Sequence, residues 1–501
     1  MTTGQTFPVT GSLHRTVFRN YCLSIDSNPK GNDSVKIRLK LLLATLTVTI
    51  ATLTINAQER PYPQNFKYPY GYIPQTFKLT TFDRWYARYK AQSSLLQSCN
   101  GGIRTSSGSA DTTKVESMGW AMIIAAYMGD KETFDGLLTY YKSKRQGHGM
   151  MAWLTSCNGI YNAGSASDGD LDAAFALVVA TWQWGGSYKT EANNVISACK
   201  KLITNCNGTS TLYGGISGNN GYGGCQQTDL SYYTPAFFRE FAEFSGDNAW
   251  TKLADDTYTL LNAGANGSTG LVPDWQQSNG SAANGYEHNY KFDACRVPWR
   301  IALDYLWNGN EKAHTWCKKI SDWAYKTGPR NIKDGYNLDG TVTGSNHSMS
   351  FLGGFAVAAM CNTQQIADDF ADEVGRMQWD SYWYHAYLGT CYMLAMSGNM
   401  WNMKLKDKQD TTVSVGGRRN GMTSTGVVSI GHSADRVLTV SGVTSGSSVS
   451  LATLDGKNIV RNRTVSGTCV SLDVSSVGKG CYVLTVRKAD AGSVSRMVSV
   501  Y

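Results

Sequence analysis

No C-x-x-C pair occurs among the 12 cysteines, so neither a zinc site nor a dithiol redox centre is indicated. There is no H-E-x-x-H, no G-x-S-x-G elbow and no Gly-rich phosphate loop ending in Lys-Ser/Thr. The 7 histidines are scattered, and no metal or cofactor is expected. Charged residues make up only 17% of the chain, and the net charge of +8 carries no long basic run, so nucleic acid is not a partner to expect. No short solenoid-type repeat is visible. What is present, in 501 residues that are 42% hydrophobic, is 14 Trp and 28 Tyr among abundant Gly and Asn. That mixture suits a surface that stacks on sugar rings, although most of the aromatics will be core. Cysteines inside apolar runs, such as Cys295 and Cys391, are expected to be buried thiols, and Cys469 and Cys481 are the pair to test for a disulfide.

The chain divides by composition. Residues 1–34 are polar and patternless. A basic segment, Val35-Lys36-Ile37-Arg38-Leu39-Lys40, precedes an apolar run from Leu41 to Ile55 and the small-residue site Asn56-Ala57. Residues 35–57 therefore form a secretory signal peptide with cleavage after Ala57, and the protein is expected at the cell surface or outside it. The run is shorter than the ~20 residues of a membrane span. Because such a signal should begin a protein, residues 1–34 are expected to be a non-native or disordered extension. Residues 58–403 are repeatedly helical, with apolar residues at helical spacing in Val115–Met128, Phe134–Tyr141, Ala173–Trp184, Thr190–Ile203, Pro235–Phe244, Trp250–Ala263, Val297–Trp307, Glu311–Tyr325, Ser350–Met360 and Trp383–Met396. Gly/Asn/Ser-rich stretches such as Asn207–Gly224 read as loops between them. Ten to twelve helices in such a span suggest helical hairpins closed into a toroid. Residues 404–426 read as a linker. Residues 427–501 alternate as strands do, with a hairpin turn at Asp455-Gly456, and read as a small β-sandwich.

The densest chemistry lies in Ala166-Ser167-Asp168-Gly169-Asp170-Leu171-Asp172, which runs straight into Ala173–Ala180. A capped helix start is the simplest account of three carboxylates at such a position. A calcium loop fails on spacing, because Ala173 stands where Gly is needed and Val179 where a bidentate Glu is needed. The third account is a carboxylate facing a cleft.

The stretch resembles the signature of glycoside hydrolase family 8, inverting endo-glycanases built on an (α/α)6 barrel. Ala166, Ser167, Asp168, Gly169, Asp170, Ala174, Ala176, Ala180 and Trp184 fit, and Ala173 replaces the usual Ile or Met. Three further stretches resemble the family in its order: Lys114-Val115-Glu116-Ser117-Met118-Gly119-Trp120, Asp229–Phe238, and Phe292-Asp293-Ala294-Cys295-Arg296-Val297-Pro298-Trp299-Arg300. The resemblance implies Glu116 as general acid, Asp293 as general base, Asp168 as the binder of the distorted sugar, and Tyr232 near the attacking water. An inverting pair needs its carboxyls ~6.5–9.5 Å apart to admit that water. The apolar neighbours of Glu116 should raise its pKa, Arg296 should keep Asp293 ionised, and N–H donors at a helix start should keep Asp168 ionised. Trp120, Trp153, Tyr232, Tyr290, Arg296 and Trp299 are expected to line the substrate, with core packing the alternative for each aromatic.

The fold expected is thus an all-α (α/α)6 barrel with a C-terminal β-sandwich. The expected activity is hydrolysis of a β-1,4-glucan, cellulose or mixed-linkage glucan, with xylan as the close alternative and a non-catalytic glycan-binding protein as the rival of another class. A polysaccharide lyase would want a Tyr or His base instead. The ending, Gly480–Val486 and Arg496–Val500, resembles the C-terminal sorting domains of the Bacteroidetes type IX secretion system, which implies the secretion machinery as a partner. A monomer is expected.

Overall fold

The computed structural model describes residues 60–403, apart from 109 and 110, and the greater part of 429–500. The expected N-terminal extension, the signal peptide and the linker at 404–426 lie outside the described residues.

Twelve helices occupy 60–403: α1 (Leu79–Ala91), α2 (Val115–Met128), α3 (Lys131–Ser143), α4 (Ser167–Trp184), α5 (Tyr188–Cys199), α6 (Pro235–Ser245), α7 (Ala249–Gly264), α8 (Val297–Asn308), α9 (Glu311–Thr327), α10 (Met349–Ala359), α11 (Gln364–Arg376) and α12 (Trp383–Met396). They sort by composition. The sequences of α2, α4, α10 and α12 are apolar nearly all round, and these helices are buried on every face. In contrast α1, α3, α9 and α11 are amphipathic, with one stripe buried. The even-numbered helices form an inner ring, each packed on the next, and α12 returns to α2 to close it. The odd-numbered helices pack outside. This is an α/α barrel of six hairpins. The segments Leu79–Ala91 and Gln364–Arg376, absent from the helices expected from the sequence, are two outer helices of that ring.

The ends of the inner helices differ. Midway down the barrel Phe175 and Phe237 stack at 3.6 Å, and at the C-terminal end Tyr127, Trp182 and Trp307 gather around Trp401 and its neighbours. The Tyr127 hydroxyl donates to the Trp401 carbonyl at 2.7 Å, so the chain closes its own barrel floor. At the N-terminal end lie long connections and short hairpins. Asn207–Gly224 is not a loop but the end of one hairpin, strand Ile203–Cys206 with Thr209–Leu212, and the whole of the next, Gly215–Ser217 with Asn220–Tyr222. Asn207-Gly208 turns the first with both residues at positive φ, 54° and 92°, as a two-residue hairpin turn of this type requires.

Among the described residues two disulfides tie down this end: Cys99–Cys157 fastens the hairpin of Leu96–Cys99 and Gly102–Thr105 to the segment after Trp153, and Cys206–Cys225 fastens the strand Ile203–Cys206. Cys295 and Cys391 are buried thiols, as expected, with Cys199, Cys317 and Cys361. The side chains of Cys469 and Cys481 lie outside the described residues.

Within 429–500, strands pair antiparallel in two sheets, one of Ser429–His432, Val437–Ser441 and Cys469–Asp473, the other of Asn458–Thr464, Ser448–Thr453, Gly480–Arg487 and Ser493–Val500. Alternate Val and Leu side chains, among them Leu438, Val440, Val449, Leu451, Leu472 and Leu484, share one buried cluster. The turn residues Asp455 and Gly456 lie outside the described residues.

Candidate active site

The polar residues of the barrel collect where the inner helices begin. Glu116 is the second residue of α2, Asp168 the second of α4, and Asp293 and Arg296 lie on the turn that enters α8. Two glycines let α2 and α4 meet. A Cβ on Gly169 would fall 2.4 Å from the Val115 carbonyl carbon and 2.5 Å from the Glu116 nitrogen, and one on Gly119 would fall 2.6 Å from the Gly169 oxygen. The glycine inside the acidic stretch therefore sets how close Asp168 lies to Glu116.

None of the three aspartates of that stretch caps its helix. The cap position is Ala166, which makes no side-chain bond, and each carboxylate is committed elsewhere. Asp172 receives both guanidinium nitrogens of Arg300, Asp170 accepts from the Tyr141 hydroxyl and the Met151 N–H, and Asp168 Oδ2 accepts from Arg296 at 2.5 Å. The partner of Asp168 is thus a guanidinium and not the helix N–H groups expected. Its Oδ1 is buried with no protein partner.

Arg296, 2% exposed, is the hub. One terminal nitrogen holds Asp168, and the other holds Asp293 Oδ1 at 2.7 Å and Asp229 Oδ2 at 3.4 Å. Its guanidinium lies 5.9 Å from the centre of the Trp120 ring and 5.7 Å from that of Tyr232. Enclosed in this way, Arg296 positions carboxylates and has little surface left for a sugar.

The two carboxyls flanking this hub differ in environment. Glu116 is half-buried. The Trp153 indole donates to Oε1 at 3.1 Å, while Oε2 is buried with no protein partner. Burial, reinforced by the nearby charge of Asp168, pushes its pKa up to about 7. Asp293 has a side chain 37% exposed, so it meets solvent at the cleft. Packing around it raises its pKa and Arg296 opposes the rise; the packing prevails, where the Arg296 effect alone was expected from sequence. Asp293 Oδ2 accepts from the Trp275 indole at 3.0 Å.

Of the aromatics expected to line substrate, Trp153 and Tyr232 are half-buried beside these carboxyls. Trp120, Tyr290 and Trp299 are corrections. All three are 0% exposed. Trp120 stacks on Trp383 beneath Arg296, Tyr290 stacks on Phe355, and Trp299 lies edge-on to Tyr392 with Arg300 over its face. They are walls of the core and have no free face for a sugar.

Four contributors were missed. Asp229 and Lys114 stand inside stretches already singled out: Asp229 braces Arg296, and Lys114 lies 5.8 Å from the Trp153 ring centre and 5.6 Å from that of Trp383. Asp274 accepts from the Lys291 and Ala294 N–H groups at 2.8 Å each and so holds the turn bearing Asp293; burial and the Asp293 charge push its pKa up to about 7. Trp275 sits in an irregular connection with no periodicity to mark it. Among the described residues no group of His, Cys, Asp and Glu is arranged to hold a metal ion.

A half-buried acid with a raised pKa and a solvent-reaching carboxylate, across a bare carboxylate oxygen, can protonate a leaving group, activate a water and bind a hydroxyl between them. Known proteins share the fold. The model of glycosyl hydrolases family 8 matches residues 80–402. Endoglucanase 2 of Ruminiclostridium josui is 36% identical over 323 residues, 61% of this chain and 69% of that protein. The Beta-glucanase of Niallia circulans is 31% identical over 385 residues, 69% of this chain and 92% of that one. The solved apo structure of the Beta-1,3-1,4-glucanase from Paenibacillus sp. X4 superposes with a TM-score of 0.62 at 30% identity, covering 68% of this chain and 99% of its own. With the family's model spanning the barrel from its first helix to its closing segment, the chain belongs to glycosyl hydrolases family 8 and is a glycoside hydrolase.

Proposed function

We propose that the protein is an inverting endo-β-1,4-glycanase acting on β-glucan, cellulose or mixed-linkage glucan, with Glu116 as general acid and Asp293 as general base. The observation that carries this reading is the contrast between the two carboxyls: Glu116 keeps its proton to about pH 7 with Oε2 bare, while Asp293 is anchored by two donors yet reaches solvent. Glu116 gives its proton to the glycosidic oxygen as the bond to the anomeric carbon breaks. Asp293 takes a proton from the water that attacks that carbon from the opposite face, so the configuration inverts. The bare Oδ1 of Asp168 accepts a hydroxyl of the sugar under attack, an interaction that strengthens as the ring flattens. Trp153 and Tyr232 supply apolar surface beside the reacting ring.

On the same reading residues 35–57 direct export, and residues 427–501 are a β-sandwich of the sorting-domain type. The two sheets with one shared apolar cluster support a sandwich. The protein acts outside the cell as a monomer.

The test is reducing-sugar release from carboxymethylcellulose, barley β-glucan, xylan and chitosan by the wild type, Glu116→Gln and Asp293→Asn. Release from the glucans, reduced about 10²–10⁴-fold in each variant with the fold retained, is the expected result. Release from xylan alone would move the substrate. Undiminished activity in either variant would remove that residue from the mechanism, and silence on all four polymers from folded wild type would leave a glycan-binding protein.

A further inference from the structure

Both carboxyls assigned to the chemistry accept a hydrogen bond from an indole. Trp153 donates to Glu116, and Trp275 donates to Asp293. The two oxygens of Asp293 are thereby engaged separately, Oδ1 by Arg296 at 2.7 Å and Oδ2 by Trp275 at 3.0 Å, and rotation of the carboxylate would break both bonds. The indole itself is held firmly. It is 8% exposed, meets Tyr232 edge-on at 5.7 Å between centres and lies against Tyr286 at 5.0 Å. On its far side Gly214 approaches so closely that a Cβ there would fall 3.1 Å from the ring. Tyr222 and Tyr286 join hydroxyl to hydroxyl at 2.5 Å, and Gln227 donates to the Tyr222 hydroxyl at 2.6 Å, so the rim above the indole is cross-braced.

We propose that Trp275 is a positioning residue for the reaction: its indole N–H locks the Asp293 carboxylate in the orientation that receives the proton of the attacking water. The inference rests on the assignment of Asp293 as base. A donor to a carboxylate also favours its ionised form, and here Trp275 works with Arg296 and Lys114 against burial and the carboxylates of Asp168, Asp229 and Asp274. The phenols that face the group, Tyr232, Tyr286 and Tyr384, are all pushed upward by burial and stay neutral. Loss of the indole N–H therefore raises the pKa of the base and frees its rotation, while the ring's packing on Tyr232 and Tyr286 is unchanged if its shape is kept.

The experiment compares wild type, Trp275→Phe and a semisynthetic or codon-expanded protein carrying β-(3-benzothienyl)alanine at 275, which keeps the bicyclic shape and lacks the N–H. Profiles of kcat against pH are measured on barley β-glucan beside Asp293→Asn. The expected result is kcat about tenfold or more lower in both substituted proteins, KM within about twofold, and the acidic limb of the profile moved to higher pH with the basic limb in place. In the Asp293→Asn background, Trp275→Phe should add little further loss. A fall in kcat without movement of the acidic limb, or full activity in the benzothienyl protein, would overturn the proposal. Activity retained in Asp293→Asn would instead remove the base assignment. The benzothienyl protein decides the matter if Trp275→Phe does not fold.

Discussion

A carboxyl shut away beside another carboxylate gives up its proton late, and for an acid catalyst that sets where activity ends. As the proposed acid Glu116 must be protonated to act, so kcat on soluble β-glucan is expected to fall as pH rises through about 7, and a profile flat to pH 9 would contradict the assignment. Asp170 is the same physics turned to structure. Burial pushes its pKa up to about 8, Oδ1 takes the Tyr141 hydroxyl at 2.6 Å and the Met151 N–H at 3.0 Å, and Oδ2 is buried without a partner. The folded state therefore keeps a proton that the unfolded chain releases near pH 4. That contribution to stability is intact below about pH 4 and is lost as pH rises towards about 8. Asp170→Asn, which keeps the shape and cannot ionise, should be the more stable form at pH 8 by on the order of a few kcal/mol in urea denaturation, with the difference vanishing towards pH 4. Equal pH slopes for the two proteins would contradict this. At this scale the sequence was informative because Glu116, Asp168 and the Asp293–Arg296 pair each sit in a short motif of their own, and the starts of three inner helices bring those separate stretches into one cleft. It misled for Trp120, Tyr290 and Trp299, because adjacency along the chain does not say which way a ring points on an element buried all round. Trp275 was invisible, since its partner lies in a different segment and nothing periodic marks the connection.

Between elements, the decisive contact is that of α2 with α4. By helix propensity alone Gly169→Ala should stabilise by about 1 kcal/mol. The added carbon would instead meet backbone atoms at 2.4 and 2.5 Å, and neither helix start can yield without carrying Glu116 or Asp168 with it. Sterics win: the variant is expected to melt several degrees lower and to lose tenfold or more in kcat, and a more stable, fully active protein would refute the argument. Ten of the helices were legible because their apolar residues recur at helical spacing. Leu79–Ala91 and Gln364–Arg376 carry that spacing too, in Phe82, Trp85, Tyr86 and Tyr89 and in Ala367, Phe370, Ala371 and Val374, but amid polar residues that dilute it. The hairpins within 203–222 were hidden by their brevity, with only the Asn207-Gly208 pair to announce a turn.

For the whole molecule, the ring of helices is what places four distant segments in one cleft. Trp120 and Trp383, from the first and last inner helices, stack at 5.9 Å, and the closing segment around Trp401 fills the opposite end. A count of helical hairpins suggested a toroid, but closure itself is a contact between far ends of the domain that no local pattern encodes. Both disulfides fasten connections at the cleft end, while the five other cysteines seen in the barrel are buried thiols. The mechanism proposed for the cleft so assembled is a single displacement, with Glu116 as acid on one face of the sugar and Asp293 activating water on the other. Proton NMR of the first products released from a cello-oligosaccharide or barley β-glucan, recorded before mutarotation, reads this directly. The α-anomer appearing first is the expected result, and the β-anomer appearing first would mean a covalent intermediate and a different role for Asp293.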